Sequence, residues 1–102
     1  MAINLPIRFA DSAVEDLELI ISYYTEQEVP DVGHRFVREI IEKIESLSGH
    51  PEMGRVVPEF NLKNLRELIH PPFSIIYLRD PKLIRIIRIW RSERLLKLPE
   101  DA

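Results

Sequence analysis

FSIIYLRDPKLIRIIRIW, residues 73–90, is the segment from which the architecture follows. Two runs rich in β-forming residues, Phe73–Arg79 and Leu83–Trp90, flank the tripeptide Asp80-Pro81-Lys82. An Asp-Pro pair between two such runs is typical of a turn. The segment therefore predicts two strands joined by a short turn.

The second run is apolar on both sides of its alternating pattern. Alternation places Ile84, Ile86 and Trp90 on one face and Ile87 and Ile89 on the other. Strands that are apolar on both faces usually lie inside a sheet and are covered on both sides. We therefore expect a central strand here.

Helical spacing precedes the strands. Apolar residues recur at intervals of three and four between residues 13 and 24 and again between residues 32 and 47. Asp11 or Ser12 is the expected cap of the first helix, and Pro30 suits the first position of the second. Gly49 and Pro51 predict where the second helix stops. The short link between the helices makes them an antiparallel hairpin.

Three further segments complete the predicted sheet. Leu5–Phe9 is a short candidate strand, and Pro6 confines it to an edge or to the start of a strand. Arg55–Pro58 and Leu65–Ile69 are also candidate strands, and the latter ends at His70. The expected fold class is α+β, with the helical hairpin packed on a mainly antiparallel sheet in the order β-α-α-β-β-β.

Composition narrows the class of protein. The 102 residues are expected to form one domain, residues 1–102, and the absence of cysteine excludes disulfides and thiolate metal sites. No apolar run approaches the ~20 residues that span a bilayer, and the N-terminus does not resemble a signal peptide. The expected location is therefore the cytoplasm, with no membrane partner.

Charge is divided unevenly along the chain. Residues 1–54 hold four Lys or Arg and eleven Asp or Glu, whereas residues 55–102 hold ten and six, within a net charge of −3. Such asymmetry can create a local basic face. Acidic helices that simply complement basic strands are the other interpretation.

No stand-alone catalytic motif is present in the sequence. Glycine-rich phosphate loops, zinc-protease motifs and serine-hydrolase motifs are all missing. His34, His50 and His70 are too far apart for a local metal pattern, so we expect no metal and no cofactor. His70 stands at a strand end, where either a binding role or a structural role fits.

Arginines concentrate on the predicted strands and their ends. Three of them near the ends of neighbouring strands could hold a phosphate or stabilise charge on a phosphorane. The alternative is that they are solvated charges paired with nearby glutamates. The three arginines are Arg66, Arg91 and Arg94.

Several segments together resemble the ParE/RelE toxin superfamily. Residues 50–59, HPEMGRVVPE, resemble its P-x-x-G-R-x-V-P-E segment, and Leu65-Arg66-Glu67 resembles its L-R-E strand. Residues 73–77, FSIIY, and residues 86–94, IIRIWRSER, are similar to its last two strands. The first helix resembles the family's A-x-x-D-L opening, so the similarity covers residues 8–96 in a consistent order.

The resemblance implies a toxin of a type II toxin–antitoxin system that assembles with a cognate antitoxin. In this superfamily the antitoxin's C-terminal segment wraps the toxin, and a segment of this kind can fold on binding. ParE-like members inhibit DNA gyrase, whereas RelE-like members cleave mRNA on the ribosome. The implied target- or phosphate-binding residues are Arg55, Arg66, His70, Arg91 and Arg94, of which Arg66, Arg91 and Arg94 would be catalytic only in a nuclease.

One departure from the RelE-like pattern bears on the target. Residues 95–102 contain no Tyr and no His, and arginine is a poor proton donor or acceptor at neutral pH. A nuclease would need its general acid or base elsewhere, at His70 or Tyr77. The sequence favours a ParE-like toxin with a protein target such as gyrase; a nuclease and an inactive homologue kept as a binding module are the alternatives.

Overall fold

Two helices lie on one face of a five-stranded sheet. The computed structural model describes residues 4–57 and 64–92. The expected α+β class is confirmed, and the candidate strand that begins at Arg55 is present as a two-residue strand, so four strands follow the helices instead of the three in the expected order. The elements are β1 (Ile7–Phe9), α1 (Asp11–Glu26), α2 (Pro30–Ser46), β2 (Arg55–Val56), β3 (Leu65–His70), β4 (Phe73–Arg79) and β5 (Ile84–Arg91).

The sheet is antiparallel except at one edge. Its strand order is β1-β5-β4-β3-β2, with β1 parallel to β5 and the other neighbours antiparallel. The prediction that Pro6 belongs at an edge is confirmed, because β1 is an edge strand and Pro6 contributes only its carbonyl, which accepts from the Ile84 N–H at 2.9 Å. The inner position expected for β5 is confirmed, since it lies between β1 and β4, but the two helices cover only one of its faces instead of both.

The core fills the space between the helical hairpin and one face of the sheet. α2 supplies the largest buried stripe, and its predicted positions Ile40, Ile44 and Leu47 are all fully buried. β4 and β5 supply the opposite wall, led by the fully buried Tyr77. We call the sheet face under the helices the helix face and the opposite one the free face.

A β-bulge interrupts the pairing of β4 with β5. Tyr77 lies opposite Ile86, and the preceding residue, Ile76, lies opposite Arg88. Ile87 is therefore an extra residue on β5 with no partner on β4. An extra residue reverses the alternation of every side chain that follows it.

The bulge corrects the predicted orientation of two side chains. Ile89, at 2% exposure, joins Ile84 and Ile86 in the core on the helix face. Trp90 opposes Ser74 and lies on the free face. The prediction that placed Trp90 with Ile84 and Ile86 is wrong because strict alternation does not survive the inserted residue.

The start of α1 covers the stretch of β5 that β1 does not reach. The helix begins at Asp11 with Ala10 as its N-cap and no side-chain cap, so the predicted cap is wrong. The Ser12 hydroxyl instead donates to the carbonyl of Ile87 at 2.6 Å. One turn later the Asp16 carboxylate accepts from the N–H of Ile89 at 2.8 Å. Side chains of α1 thus satisfy backbone groups that would otherwise form an open sheet edge.

Candidate functional site

The predicted site residues separate into two groups at opposite ends of the sheet. Arg66 lies opposite Tyr77, whereas Arg91 lies opposite Phe73 at the other end of β4. Four residues of strand separate these two positions, which is about 13 Å at the usual rise per residue. The described part of the chain therefore does not bring Arg66 and Arg91 together.

At the first end, the phenol of Tyr77 holds the turn Pro51–Gly54 against the sheet. Its oxygen accepts from the Gly54 N–H at 2.9 Å, and its O–H donates to the Pro51 carbonyl at 3.0 Å. A Cβ on Gly54 would lie 2.7 Å from both the Tyr77 oxygen and the Glu67 carbonyl oxygen. Only glycine fits at this position, because the backbone approaches the sheet so closely.

Arg66 ties down the same turn from the neighbouring strand. Its Nη1 donates to the Gly54 carbonyl at 2.7 Å and to the Glu52 carbonyl at 3.2 Å. The Glu52 carboxylate lies 3.8 Å from Nη2, and the side chain of Arg66 is 18% exposed. These contacts give Arg66 a structural position, because the guanidinium is engaged by the turn.

The environment of Tyr77 opposes proton transfer by its hydroxyl. The side chain is fully buried, which matches the core position that its apolar neighbours indicated. Burial raises the pKa of the phenol above its usual value near 10, outweighing the hydrogen bond from Gly54 and the positive charge of Arg66. Tyr77 therefore stays neutral and has a structural role.

Arg55 on β2 pairs with Glu67, the residue after Arg66 on β3, and its side chain lies on the free face. Its Nε and Nη2 both donate to one carboxylate oxygen of Glu67, at 2.9 and 2.8 Å. The Arg55 side chain is 64% exposed, while that of Glu67 is 7% exposed. This pair is one of the glutamate pairings expected under the structural interpretation of the arginines.

At the second end, three side chains form one rung across the sheet, the His70–Arg91 rung. His70 lies opposite Phe73 on β3 and β4, and Phe73 lies opposite Arg91 on β5. Two strand spacings place the backbones of His70 and Arg91 roughly 10 Å apart. The guanidinium of Arg91 lies 5.6 Å from the centre of the Phe73 ring.

Both helices contribute polar groups to this rung. On α2, a carboxylate oxygen of Glu39 lies 3.1 Å from His70 Nε2. On α1, the hydroxyl of Tyr24 accepts from Arg91 Nη1 at 3.0 Å. His70 is 21% exposed. The arrangement combines an imidazole beside a carboxylate with a guanidinium on one face, and it can recognise a carboxylate or phosphate.

Arg94, the remaining predicted site residue, lies outside the described residues. Its expected grouping with Arg91 stays a prediction.

Sequence reasoning missed the ion pair formed by the buried Asp16 and the partly exposed Arg88. The Arg88 guanidinium donates to both carboxylate oxygens of Asp16, at 2.8 and 3.1 Å, and Asp16 is 7% exposed. The hydrogen bonds that Arg88 donates to Asp16 raise the pKa of the guanidinium above its usual value. The available signal was the position of Asp16 between Ala13 and Ile20 on the buried stripe of α1.

The described residues contain no cluster that could hold a metal ion. His34 and His50 are exposed and separate, and no group of three or more His, Asp or Glu side chains in residues 4–57 and 64–92 has suitable geometry. Within the same ranges, neither helix has the length and apolar character to cross a bilayer.

Comparison with known proteins identifies the family. The model of the ParE toxin of type II toxin-antitoxin system, parDE, matches residues 7–96. The chain belongs to this ParE toxin family. It is thereby a toxin of a type II toxin–antitoxin system. A search of curated proteins found no match.

Solved structures of toxin–antitoxin systems share the fold. A chain of the chromosomal ParDE system from P. aeruginosa is 26% identical with a TM-score of 0.72, covering 85% of this chain and 95% of that one. The RelBE2 complex of Mycobacterium tuberculosis gives 18% identity and a TM-score of 0.64, covering 88% and 93%. The E. coli DinJ–YafQ complex gives 15% and 0.59, covering 91% and 98%. The last two show a common fold alone.

Proposed function

We propose that this ParE-family toxin inhibits growth by binding a protein target, DNA gyrase, and is neutralised by a cognate antitoxin. The observation that carries the proposal is the engagement of Arg66 and Tyr77 by the turn Pro51–Gly54. RNA cleavage needs a proton donor or acceptor next to positive charge at the scissile phosphate. Both residues already bond to backbone groups of the turn, which favours binding of a protein target over RNA cleavage.

The His70–Arg91 rung is the proposed contact for the target. Arg91 is held between the Phe73 ring and the Tyr24 hydroxyl, so its side chain loses little rotational freedom on binding. A preorganised guanidinium suits a carboxylate on a protein partner. Arg55, which is largely exposed on the free face, is a second proposed contact.

A supercoiling assay with purified gyrase tests the proposal. The unmodified toxin is expected to inhibit supercoiling, and Arg91→Ala to weaken inhibition by about tenfold or more, since a hydrogen bond to a charged group contributes about 1.5–3 kcal/mol. Arg38→Ala, at an exposed position on α2, is the matched control and should retain full potency. Undiminished supercoiling at a large excess of the folded toxin would rule gyrase out.

A ribosome-dependent mRNA endonuclease is the second candidate. The observation in its favour is the pairing of His70 with Glu39 on the same rung as Arg91, because a carboxylate can orient an imidazole for proton transfer. Under this proposal His70 replaces the general acid or base missing after Arg94. His70→Gln would then abolish mRNA cuts in cells while leaving the unfolding free energy nearly unchanged.

An antitoxin partner is supported by the family match and by the relative from the chromosomal ParDE toxin–antitoxin system of P. aeruginosa. We propose that the antitoxin is encoded beside the toxin and that the pair assembles as a cytoplasmic hetero-oligomer. A neighbouring short reading frame whose product restores growth supports this, whereas growth arrest that its product leaves unchanged contradicts it.

A further inference from the structure

Two arginines on neighbouring strands lie together at the end of the sheet that holds the turn Pro51–Gly54. Arg66 of β3 is opposite Tyr77 of β4, and Arg79 is two residues further along β4. Side chains in this diagonal relation share a face at a separation of about 7–8 Å, within reach of each other when they are long. The two guanidinium groups are therefore placed as a pair, which we call the Arg66–Arg79 pair.

The carboxylate of Glu52 lies between these two guanidinium groups and is held only loosely. One of its oxygens is 3.8 Å from Arg66 Nη2, and the other is 3.9 Å from Arg79 Nη2. Both distances are longer than the ~2.7–2.9 Å of a charge-assisted hydrogen bond. The Glu52 side chain is 65% exposed, so water weakens its attraction to the arginines. Another anion can therefore displace this carboxylate at little cost.

Both guanidinium groups retain donors that the described residues do not use. The Nε atoms of Arg66 and Arg79 are buried, and neither has a hydrogen-bond partner in the described part of the chain. Most buried polar atoms in proteins have a partner, and an exception can mark the place of a bound water or ion. Arg66 uses Nη1 for two backbone carbonyls of the turn Pro51–Gly54. The pair thus keeps capacity for a stronger acceptor than the Glu52 carboxylate.

The charge of the Arg66–Arg79 pair favours a ligand with more than one negative charge. Two guanidinium groups face the single carboxylate of Glu52, so one positive charge is not balanced there. A phosphate monoester carries a charge of about −1.5 to −2 at pH 7 and presents three strong acceptor oxygens. Guanidinium groups match phosphate oxygens in geometry as well as in charge. A phosphate monoester therefore satisfies the pair better than Glu52 does.

We propose that the Arg66–Arg79 pair binds a phosphate monoester, which displaces the side chain of Glu52. The phosphate oxygens accept from Nη2 of both arginines, while Nη1 of Arg66 continues to hold the turn. The neighbouring phenol of Tyr77 is buried and neutral, so the site binds the phosphate group without transferring a proton to it. The site lies at the other end of β4 from the His70–Arg91 rung and does not depend on the target proposed for that rung.

Calorimetric titration of the purified toxin with phenyl phosphate, a monoester, measures the Kd, and NMR of the arginine Nε–H signals locates the site. The signals of Arg66 and Arg79 should shift on binding, whereas that of the exposed Arg85 should not. Dimethyl phosphate, a diester with a single charge, should bind several-fold more weakly. A nucleoside monophosphate and a short 5′-phosphorylated oligonucleotide should both bind, and the tighter of the two shows whether a free nucleotide or a nucleic-acid end is the better source.

Three variants make the result specific. Glu52→Gln, at an exposed side chain, should tighten binding several-fold because it removes the internal competitor. Arg79→Gln should weaken binding about tenfold or more, since it removes a charge-assisted hydrogen bond to the phosphate. Arg85→Gln removes the same charge at an exposed position of β5 and should leave the Kd unchanged.

Three results would overturn the proposal. The first is that a large excess of phenyl phosphate leaves the Nε–H signals of Arg66 and Arg79 unchanged. The second is that Glu52→Gln, whose fold is not at risk, binds no more tightly than the unmodified toxin. The third is that Arg85→Gln weakens binding as much as Arg79→Gln, because the toxin would then attract phosphate only through its general charge.

Discussion

Replacing Tyr77 with Phe removes one oxygen atom that serves two backbone groups. The hydroxyl is fully buried and bonds to the Gly54 N–H and the Pro51 carbonyl, at 2.9 and 3.0 Å. Leaving a buried polar group unpaired costs about 1–3 kcal/mol. With two groups affected and partial relaxation of the turn, we expect the free energy of unfolding to fall by about 2–4 kcal/mol. For a domain of this size the melting temperature should fall by roughly 10–20 °C.

Guanidinium unfolding followed by circular dichroism measures this loss. The midpoint should fall with an unchanged m-value, because the native state keeps its compactness. Tyr23→Phe is the matched control: the chemical change is identical, but Tyr23 is 51% exposed, so stability should change by less than about 0.5 kcal/mol. Equal effects of the two substitutions would refute the view that the Tyr77 hydroxyl holds the turn.

Three further outcomes concern the turn at Gly54, the phenol of Tyr77 and the ion pair of Asp16 with Arg88. Gly54→Ala should lower the free energy of unfolding by about 1–3 kcal/mol, because the new Cβ would lie 2.7 Å from the Tyr77 hydroxyl oxygen. Gly33→Ala, whose Cβ would have its tightest contact at 3.0 Å, should cost less. Equal losses in chemical unfolding would contradict this. Above pH 10 the unfolding free energy should fall by up to about 1.4 kcal/mol per pH unit, because the pKa of Tyr77 is raised in the folded state and its phenol therefore ionises first in the unfolded chain. Tyr77→Phe should show a shallower fall. Asp16→Asn should destabilise by about 1–2 kcal/mol, because the hydrogen bonds from Arg88 lose their charged acceptor while the 41% exposed Arg88 side chain can be hydrated. A neutral result in thermal unfolding would refute that role.

Local patterns were sufficient to predict most of the elements. The bounds of β4 match the run Phe73–Arg79, and α2 begins at Pro30 as its fixed φ angle indicates. Each of these signals involves residues close together in the chain. The parallel pairing of β1 with β5 joins residues more than seventy positions apart, and no local period encodes it.

The bulge shows why side-chain direction was harder to predict than strand position. A single inserted residue, Ile87, exchanges the faces of Ile89 and Trp90 without altering the composition of the strand. No local period of the sequence marks this insertion. The predicted N-cap of α1 was wrong for a similar reason, because the Ser12 hydroxyl bonds to β5 instead of to its own helix.

The relative positions of the candidate site residues depend even more strongly on strand register. Arg66 and Arg91 both sit near strand ends, yet the antiparallel register places those ends at opposite sides of the sheet. The family-like segment around Gly54 was visible in the sequence, but its partner Tyr77 lies 23 residues away. In the fold that segment is the turn that Tyr77 and Arg66 hold against the sheet.

Growing bacteria allow a direct test of whether this ParE-family toxin acts on a protein target. The toxin is induced without antitoxin, growth is followed, and the 5′ ends of mRNA are mapped in the same culture. We expect growth arrest with intact mRNA, together with loss of chromosomal supercoiling. Site-specific mRNA cuts at the onset of arrest, or undisturbed growth, would contradict it.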